Sequence, residues 1–177
     1  AKLVRRHPHV FGDADAATPG AVRLRWEEIK TAQEGREGIF HDVAESLPGL
    51  LHARKVQRRA AAVGYDWPDL VGPLEKVAEE LDELHAATGG AEAPAPETEP
   101  DPAVFHEVGD LLFTVVNVAR KLNVDPELAL RATTRRFAER VERAAELAKA
   151  AGEDWRALVV DDQDAYYERA KRELAAE

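Results

Sequence analysis

At 177 residues, 45% of them hydrophobic and only 6% aromatic, the chain is long enough for one ordinary domain plus an extension, packed around small side chains. Its formal net charge of −10 argues against general binding to DNA, RNA or an anionic membrane surface, and implies that a phosphate substrate arrives with a cation. The absence of Cys excludes a disulfide framework and a thiolate metal site; with no apolar run near about 18 residues and no signal peptide, the chain reads as cytoplasmic and not membrane-bound.

Residues 1–6 read as the end of a helix, as in a fragment of a longer protein. His7-Pro8-His9-Val10-Phe11-Gly12-Asp13 follows; a His-x-His around a proline is a weak metal signal and reads as a rigid turn. A helix is predicted near 20–34, with Val22, Trp26 and Ile29 on one side, and Gly35 and Gly38 make 35–46 a linker. Residues 47–63 read as a helix with Ser46 as N-cap, Pro48 in the first turn, Leu50, Leu51 and Val56 among its apolar positions, and Gly64 just past its end. In the turn Tyr65-Asp66-Trp67-Pro68, Trp67 reads as a packing anchor rather than a base-stacking platform. Pro73 opens a helix to about Ala87, and the Gly/Pro/Glu/Thr-rich stretch 88–101 reads as a mobile loop. Asp101-Pro102 caps a helix ending near Leu122, and Asp125-Pro126 repeats the signal for a long helix to about Ala151. A last helix covers about 161–175. Only 157–160 shows a brief strand-like run, so the fold is predicted to be all-α, an antiparallel helical bundle, with the chain divided at 1–45 and 46–177.

The chemistry lies in two acidic clusters on consecutive helices, Glu79-Glu80-Leu81-Asp82-Glu83 and Glu107-Val108-Gly109-Asp110. Glu80 with Glu83, and Glu107 with Asp110, stand three residues apart and so share a helix face. On the first helix Leu74, Val77, Leu81 and Leu84 form an apolar arc; Glu80 and Glu83 border it, and Glu79 points further out as a candidate general base. On the second, Val104, Val108, Leu111, Val115 and Val118 form the predicted core stripe, bordered by a polar stripe of Glu107, Asp110, Thr114, Asn117 and Lys121. If the helices pack side by side, four carboxylates converge. At about 5 Å and an effective dielectric near 20, each ionised pair costs roughly 3 kcal/mol. Protons or a hard dication must relieve that repulsion, and oxygen-only ligands favour magnesium or manganese.

The bland reading is that Glu-rich helix faces are solvated surface. Two such pairs at core borders, joined by one loop, weigh against it. Asp82-x-x-His85 has no matching His on the second acidic helix, which removes support for a di-iron site. There is no phosphate-binding Gly-x-x-x-x-Gly-Lys loop, no Gly-x-Gly-x-x-Gly loop and no Gly-x-Ser-x-Gly elbow. Arg135, Arg136 and Arg140 near one face of the fifth helix, and Lys171 four residues after Tyr167, are a local basic cluster able to bind phosphate.

Together these residues resemble a known family. The two acidic clusters are similar to the EExxE…ExxD signature of MazG-type nucleoside triphosphate pyrophosphohydrolases. The segment Arg5-Arg6-His7-Pro8-His9-Val10-Phe11-Gly12-Asp13 resembles the stretch between that family's two repeats. Trp26-Glu27-Glu28-Ile29-Lys30, Gly64-Tyr65-Asp66-Trp67 and Asp110-Leu111-Leu112-Phe113 extend the likeness over nearly the whole chain. The resemblance implies a second, C-terminal repeat (46–177) preceded by the tail of the first, and an all-α, magnesium-dependent, typically dimeric enzyme that converts nucleoside triphosphates to monophosphate and pyrophosphate. By the same resemblance Glu80, Glu83, Glu107 and Asp110 hold metal, Lys76, Arg136, Arg140 and Lys171 contact phosphate, and Tyr167 stands beside the nucleotide. His106 replaces an acid common in the family, which leaves the number of metals open, and Arg136 replaces a Lys.

The expected reaction is metal-assisted cleavage between the α and β phosphates, with Glu79 or Glu80 assisting deprotonation of water and Asn117 on the polar stripe facing the substrate. Few groups that read a base are evident, so broad base tolerance is expected. The rival expectations are a non-catalytic helical dimerisation module and a pyrophosphohydrolase for one specialised triphosphate.

Overall fold

Two aspartate–proline pairs set where helices begin. Asp101 Oδ1 accepts the Ala103 N–H at 2.8 Å with Pro102 in the first turn, and Asp125 Oδ1 accepts the Leu128 N–H at 3.1 Å with Pro126 in the same role. Each such cap satisfies a donor the helix itself leaves open and is worth about 1 kcal/mol. The computed structural model describes residues 38–41, 43–89, 95 and 97–175. Among them are five helices and no strand: α1 (Gly49–Ala62), α2 (Val71–Thr88), α3 (Pro102–Lys121), α4 (Pro126–Ala150) and α5 (Val160–Leu174). The fold is all-α, as the sequence pattern predicts. The helix predicted near 20–34, and the segment with His7 and His9, lie outside the described residues.

Three local boundaries differ from expectation. Ser46 does not cap the first helix: Pro48 occupies the N-cap with no side-chain bond, because α1 starts only at Gly49. Helix α2 begins at Val71, two residues before Pro73, since Asp69 Oδ1 already accepts the Val71 N–H at 2.9 Å. Helix α5 begins at Val160 with Val159 as its N-cap, one residue before the expected start.

The chain divides into two units at Val124/Asp125. In the first, α3 packs against α2 and, less extensively, against α1. The α2–α3 pair is antiparallel: the turn before α2 meets the end of α3 through Asp66–Arg120, and Glu80 of α2 meets Glu107 near the start of α3. In the second unit, α4 and α5 pair around Ala144, Leu147 and Ala170, with Trp155, Tyr166 and Tyr167 packed on that cluster. Arg143 ties the two helices by reaching Glu173 at 2.8 Å and also holds Glu146 at 2.9 Å.

The helix faces are turned relative to the predicted stripes. On α3 part of the polar stripe faces inward: Thr114 and Asn117 are buried and Glu107 and Lys121 half-buried, with Asp110 exposed, while of the predicted core Val104, Leu111 and Val118 are half-buried and Val108 and Val115 exposed. On α2, Glu80 is only 5% exposed, whereas Leu74 and Leu81 are about half exposed. The core stripes expected from apolar spacing are therefore corrected. The first unit buries Glu80, Thr114 and Asn117 and leaves Phe105, Val108, Leu112 and Val115 of α3 exposed.

Candidate metal centre

Helix α2 delivers Glu80 and α3 delivers Glu107 and Asp110, one helical turn apart. A carboxylate oxygen from each lies within 4.8 Å of the other two. At that distance each ionised pair costs about 3 kcal/mol at an effective dielectric near 20. One cation partly offsets this: Lys76 Nζ sits 2.8 Å from Glu80 and 2.7 Å from Glu79. Hydrogen bonds to Glu79 and then Glu80 hold the Lys76 ammonium well above the ordinary lysine range. Charge is still in excess. Burial raises the Glu83 carboxyl above its usual value; Lys76 pulls it down, and Glu80, Glu107 and Glu79 push it up again.

The structure thus brings three of the four predicted ligands into one group and leaves Glu83 beside it, exposed but within reach of the same field. The donor set is carboxylate oxygen alone, which suits a hard divalent cation of the magnesium or manganese kind. Glu79 is on the solvent side, paired with Lys76. On the second unit, Arg136 bonds Thr133 at 3.0 Å, Lys171 bonds Glu168 at 2.8 Å, and Tyr167 stacks at 45° on Phe137 with ring centroids 5.9 Å apart. Arg140 is half-buried there and helps hold the Glu168 carboxyl below its usual value, after the larger effect of Lys171.

Beside the three acids is a cavity of about 330 Å³ within the first unit. Glu80, Asp110 and Lys76 line it, together with Gln57, Asn117 and the aromatic rings of Tyr65, Trp67 and Phe113. Its outer wall is pinned by ion pairs. Arg120 reaches Asp66 at 2.5 Å and Lys121 reaches it at 3.2 Å, and Lys121 also donates to the Trp67 carbonyl. Arg120 donates in addition to Asn117 Oδ1 at 2.6 Å. Burial opposes ionisation of Asp66, but hydrogen bonds from Arg120 and Lys121 outweigh it and hold its carboxyl below the usual range. Gly64, at φ +90°, lets the chain leave α1 into this turn. Gly72 gives the Trp67 indole its seat, since any side chain there would overlap the ring. Trp67 packs on Gly72 and also walls the cavity.

Sequence reasoning missed Gln57, Arg120 and Asp66. The signal for Gln57 was available: it shares a face of α1 with Leu50, Ala53 and Ala60, so a polar residue occupies a core register.

No family model matches the chain. It is 41% identical over 172 residues to a Thermotoga maritima protein named nucleoside triphosphate pyrophosphohydrolase/pyrophosphatase MazG, covering 96% of this chain and 62% of that one. It is 36% identical over 175 residues to the Escherichia coli K12 nucleoside triphosphate pyrophosphohydrolase, covering 97% and 64%. A Bacillus subtilis protein named uncharacterized protein YabN is 37% identical over 172 residues, covering 96% of this chain and 34% of its own length. The chain thus spans less than two thirds of the length of these relatives. Along nearly its whole length the chain is similar to proteins named nucleoside triphosphate pyrophosphohydrolase, one of them named MazG, and its helices gather Glu80, Glu107 and Asp110 of the acidic clusters.

Proposed function

We propose that this chain hydrolyses nucleoside triphosphates to monophosphate and pyrophosphate in a magnesium-dependent reaction with broad base tolerance. The observation that carries this is the Glu80–Glu107–Asp110 group, within 4.8 Å and bordering a cavity of nucleoside size. A divalent cation bound there by Glu80, Glu107 and Asp110, with Glu83 as the fourth acid, supplies charge neutralisation for the triphosphate oxygens and acidifies water. The protein's own groups do the rest. Lys76, now shared by Glu79 and Glu80, transfers to a phosphate oxygen when substrate enters. Glu79 is thereby released to take the proton of the attacking water. A P–O bond forms to that water, the bridge between α and β phosphates breaks, and pyrophosphate leaves. Asn117, buried and oriented by Arg120, faces the substrate from α3.

Residues 46–177 form the catalytic domain in this reading. Contacts of Arg136, Arg140, Lys171 and Tyr167 with the nucleotide rest on the family resemblance. The protein works in the cytoplasm, where its substrates are held; no helix among the described residues is long and apolar enough to cross a membrane. It works as a homodimer, because Phe105, Val108, Leu112 and Val115 form an exposed apolar face on α3 that a second copy would cover.

Product analysis tests the proposal. With magnesium and any common triphosphate, the expected products are monophosphate and pyrophosphate in equal amounts, at comparable rates across bases. Release of diphosphate and inorganic phosphate, or no reaction with any nucleotide, would refute it. Turnover of a single specialised triphosphate would favour that narrower activity.

A further inference from the structure

Lys76 faces two carboxylates at once, Glu79 at 2.7 Å and Glu80 at 2.8 Å. Helix stability does not ask for this pairing. Along a helix the favourable order puts the acid before the lysine, and here the lysine comes first. The two carboxylates also differ in what they lose without it. Glu79 is more than half exposed, so water can take the place of Lys76 there. Glu80 is buried and belongs to the group of three acids, where a sheltered charge among like charges holds a cation firmly.

Lys76 therefore competes for Glu80 with any dication that enters between Glu80, Glu107 and Asp110. The two cations need the same oxygens and repel each other. Lys76 is free to move aside, since its side chain is one third exposed and its stem is flexible. Its destination sets the affinity of the site. Turned out into water, the ammonium loses a charged partner and gains none. Turned onto the phosphate oxygens of a nucleotide in the adjoining cavity, whose wall it shares with Glu80 and Asp110, it exchanges one anion for another.

We infer that Lys76 is the resident counter-ion of the acidic group in the free protein, an internal competitor of the dication, and that metal and triphosphate bind cooperatively because the phosphates draw Lys76 off Glu80. The inference rests on the proposed function and deepens it. It makes the free protein a weak binder of metal alone and a tight binder of the metal–nucleotide complex, so that the site fills when substrate is present. The coupling is reciprocal: whatever the nucleotide does for the metal, the metal does for the nucleotide.

Calorimetry tests this with Mn2+ alone and with the Mn2+ complex of α,β-methylene-ATP, which the proposed reaction does not cleave. Lys76→Met is expected to bind Mn2+ alone about tenfold more tightly than the wild type, and the complex about tenfold more weakly. Lys76→Arg, which keeps the charge, should stay near the wild type in both. The opposite signs within one variant are what a purely structural lysine would not produce, since loss of structure weakens both. A reading on the wild type alone keeps the test open if Lys76→Met does not fold. Acetylation of Lys76, followed by peptide mass spectrometry, should speed up at least about fivefold when Mn2+ binds and frees the amine from its two carboxylates. Mn2+ binding by Lys76→Met that is equal to or weaker than that of the wild type, complex binding that is not weakened, or unchanged acetylation overturns the inference. If pyrophosphate release by the wild type is intact, the proposed function is spared. The expected inversion in a protein that releases no pyrophosphate from any nucleotide upholds the resident counter-ion and removes the hydrolytic reading.

Discussion

Glu107→Gln is expected to lower pyrophosphate release at least about a hundredfold while leaving the metal-free protein as stable as the wild type, or slightly more so. The two halves of this expectation come from one arrangement. Glu107, Glu80 and Asp110 bring carboxylate oxygens within 4.8 Å of one another, with Lys76 paired to Glu80 as a counter-charge. Removing one charge relieves two repulsions of about 3 kcal/mol each, screened by whatever solvent reaches the half-buried Glu107. It also deletes a metal-binding oxygen, a more direct loss than the outer-shell changes that already cost 10–100-fold. Melting curves separate the effects. Magnesium should raise the wild-type midpoint, since a ligand bound only by the native state stabilises it, and should leave the variant's midpoint unmoved. A variant that is destabilised without metal and still active would mean that Glu107 is merely a structural acid.

The second large effect is on stability. Asp66→Ala should cost about 2 kcal/mol near neutral pH, a fall of about 4–8 °C in melting temperature for a chain of this size. Asp66 is the carboxylate partner of Arg120 and Lys121, whose side chains are 12% and 16% exposed. Without it two largely sheltered cations lose their counter-charge. The figure stays below the 3–5 kcal/mol of a fully buried pair because Asp66 itself is 24% exposed, and because Arg120 keeps Asn117 and Lys121 keeps the Trp67 carbonyl. The pH dependence has a definite sign. The folded-state carboxyl lies below its unfolded value of about 3.9, so its contribution is complete above that value and is lost as pH falls through the depressed one. The gap between wild type and Asp66→Ala should therefore hold from pH 7 to about 4 and close as the pH of a melting series is lowered below that, toward about 2. A constant gap over that range would show that the ion pairs do not provide the stabilisation.

Much of this was legible in the residues. The Asp-Pro pairs fixed two helix starts because capping is local chemistry, read by a side chain and its nearest amides. The spacing of Glu80, Glu107 and Asp110 placed them on facing sides of two helices, and the structure brings them together. What apolar spacing could not give was the rotation of those helices. On α3 it offers two candidate inner faces, one of valines and one of Thr114 and Asn117, and a single helix gives no rule for choosing. The choice depends on α1 and α2, and it falls on the polar face. A chain that buries Glu80, Thr114 and Asn117 and exposes Phe105 and Leu112 departs from the pattern that stability alone would select, and such departures mark functional sites. The Asp66–Arg120 clamp was hidden for another reason: the two residues are 54 positions apart, and no local pattern links them.

The central claim is that Glu80, Glu107 and Asp110 share one dication. Crystals of the wild-type protein grown with manganese test it most directly, through anomalous diffraction. The account predicts one strong peak about 2.1 Å from a carboxylate oxygen of each of the three residues. A peak elsewhere, or none between α2 and α3 at saturating manganese, would contradict it.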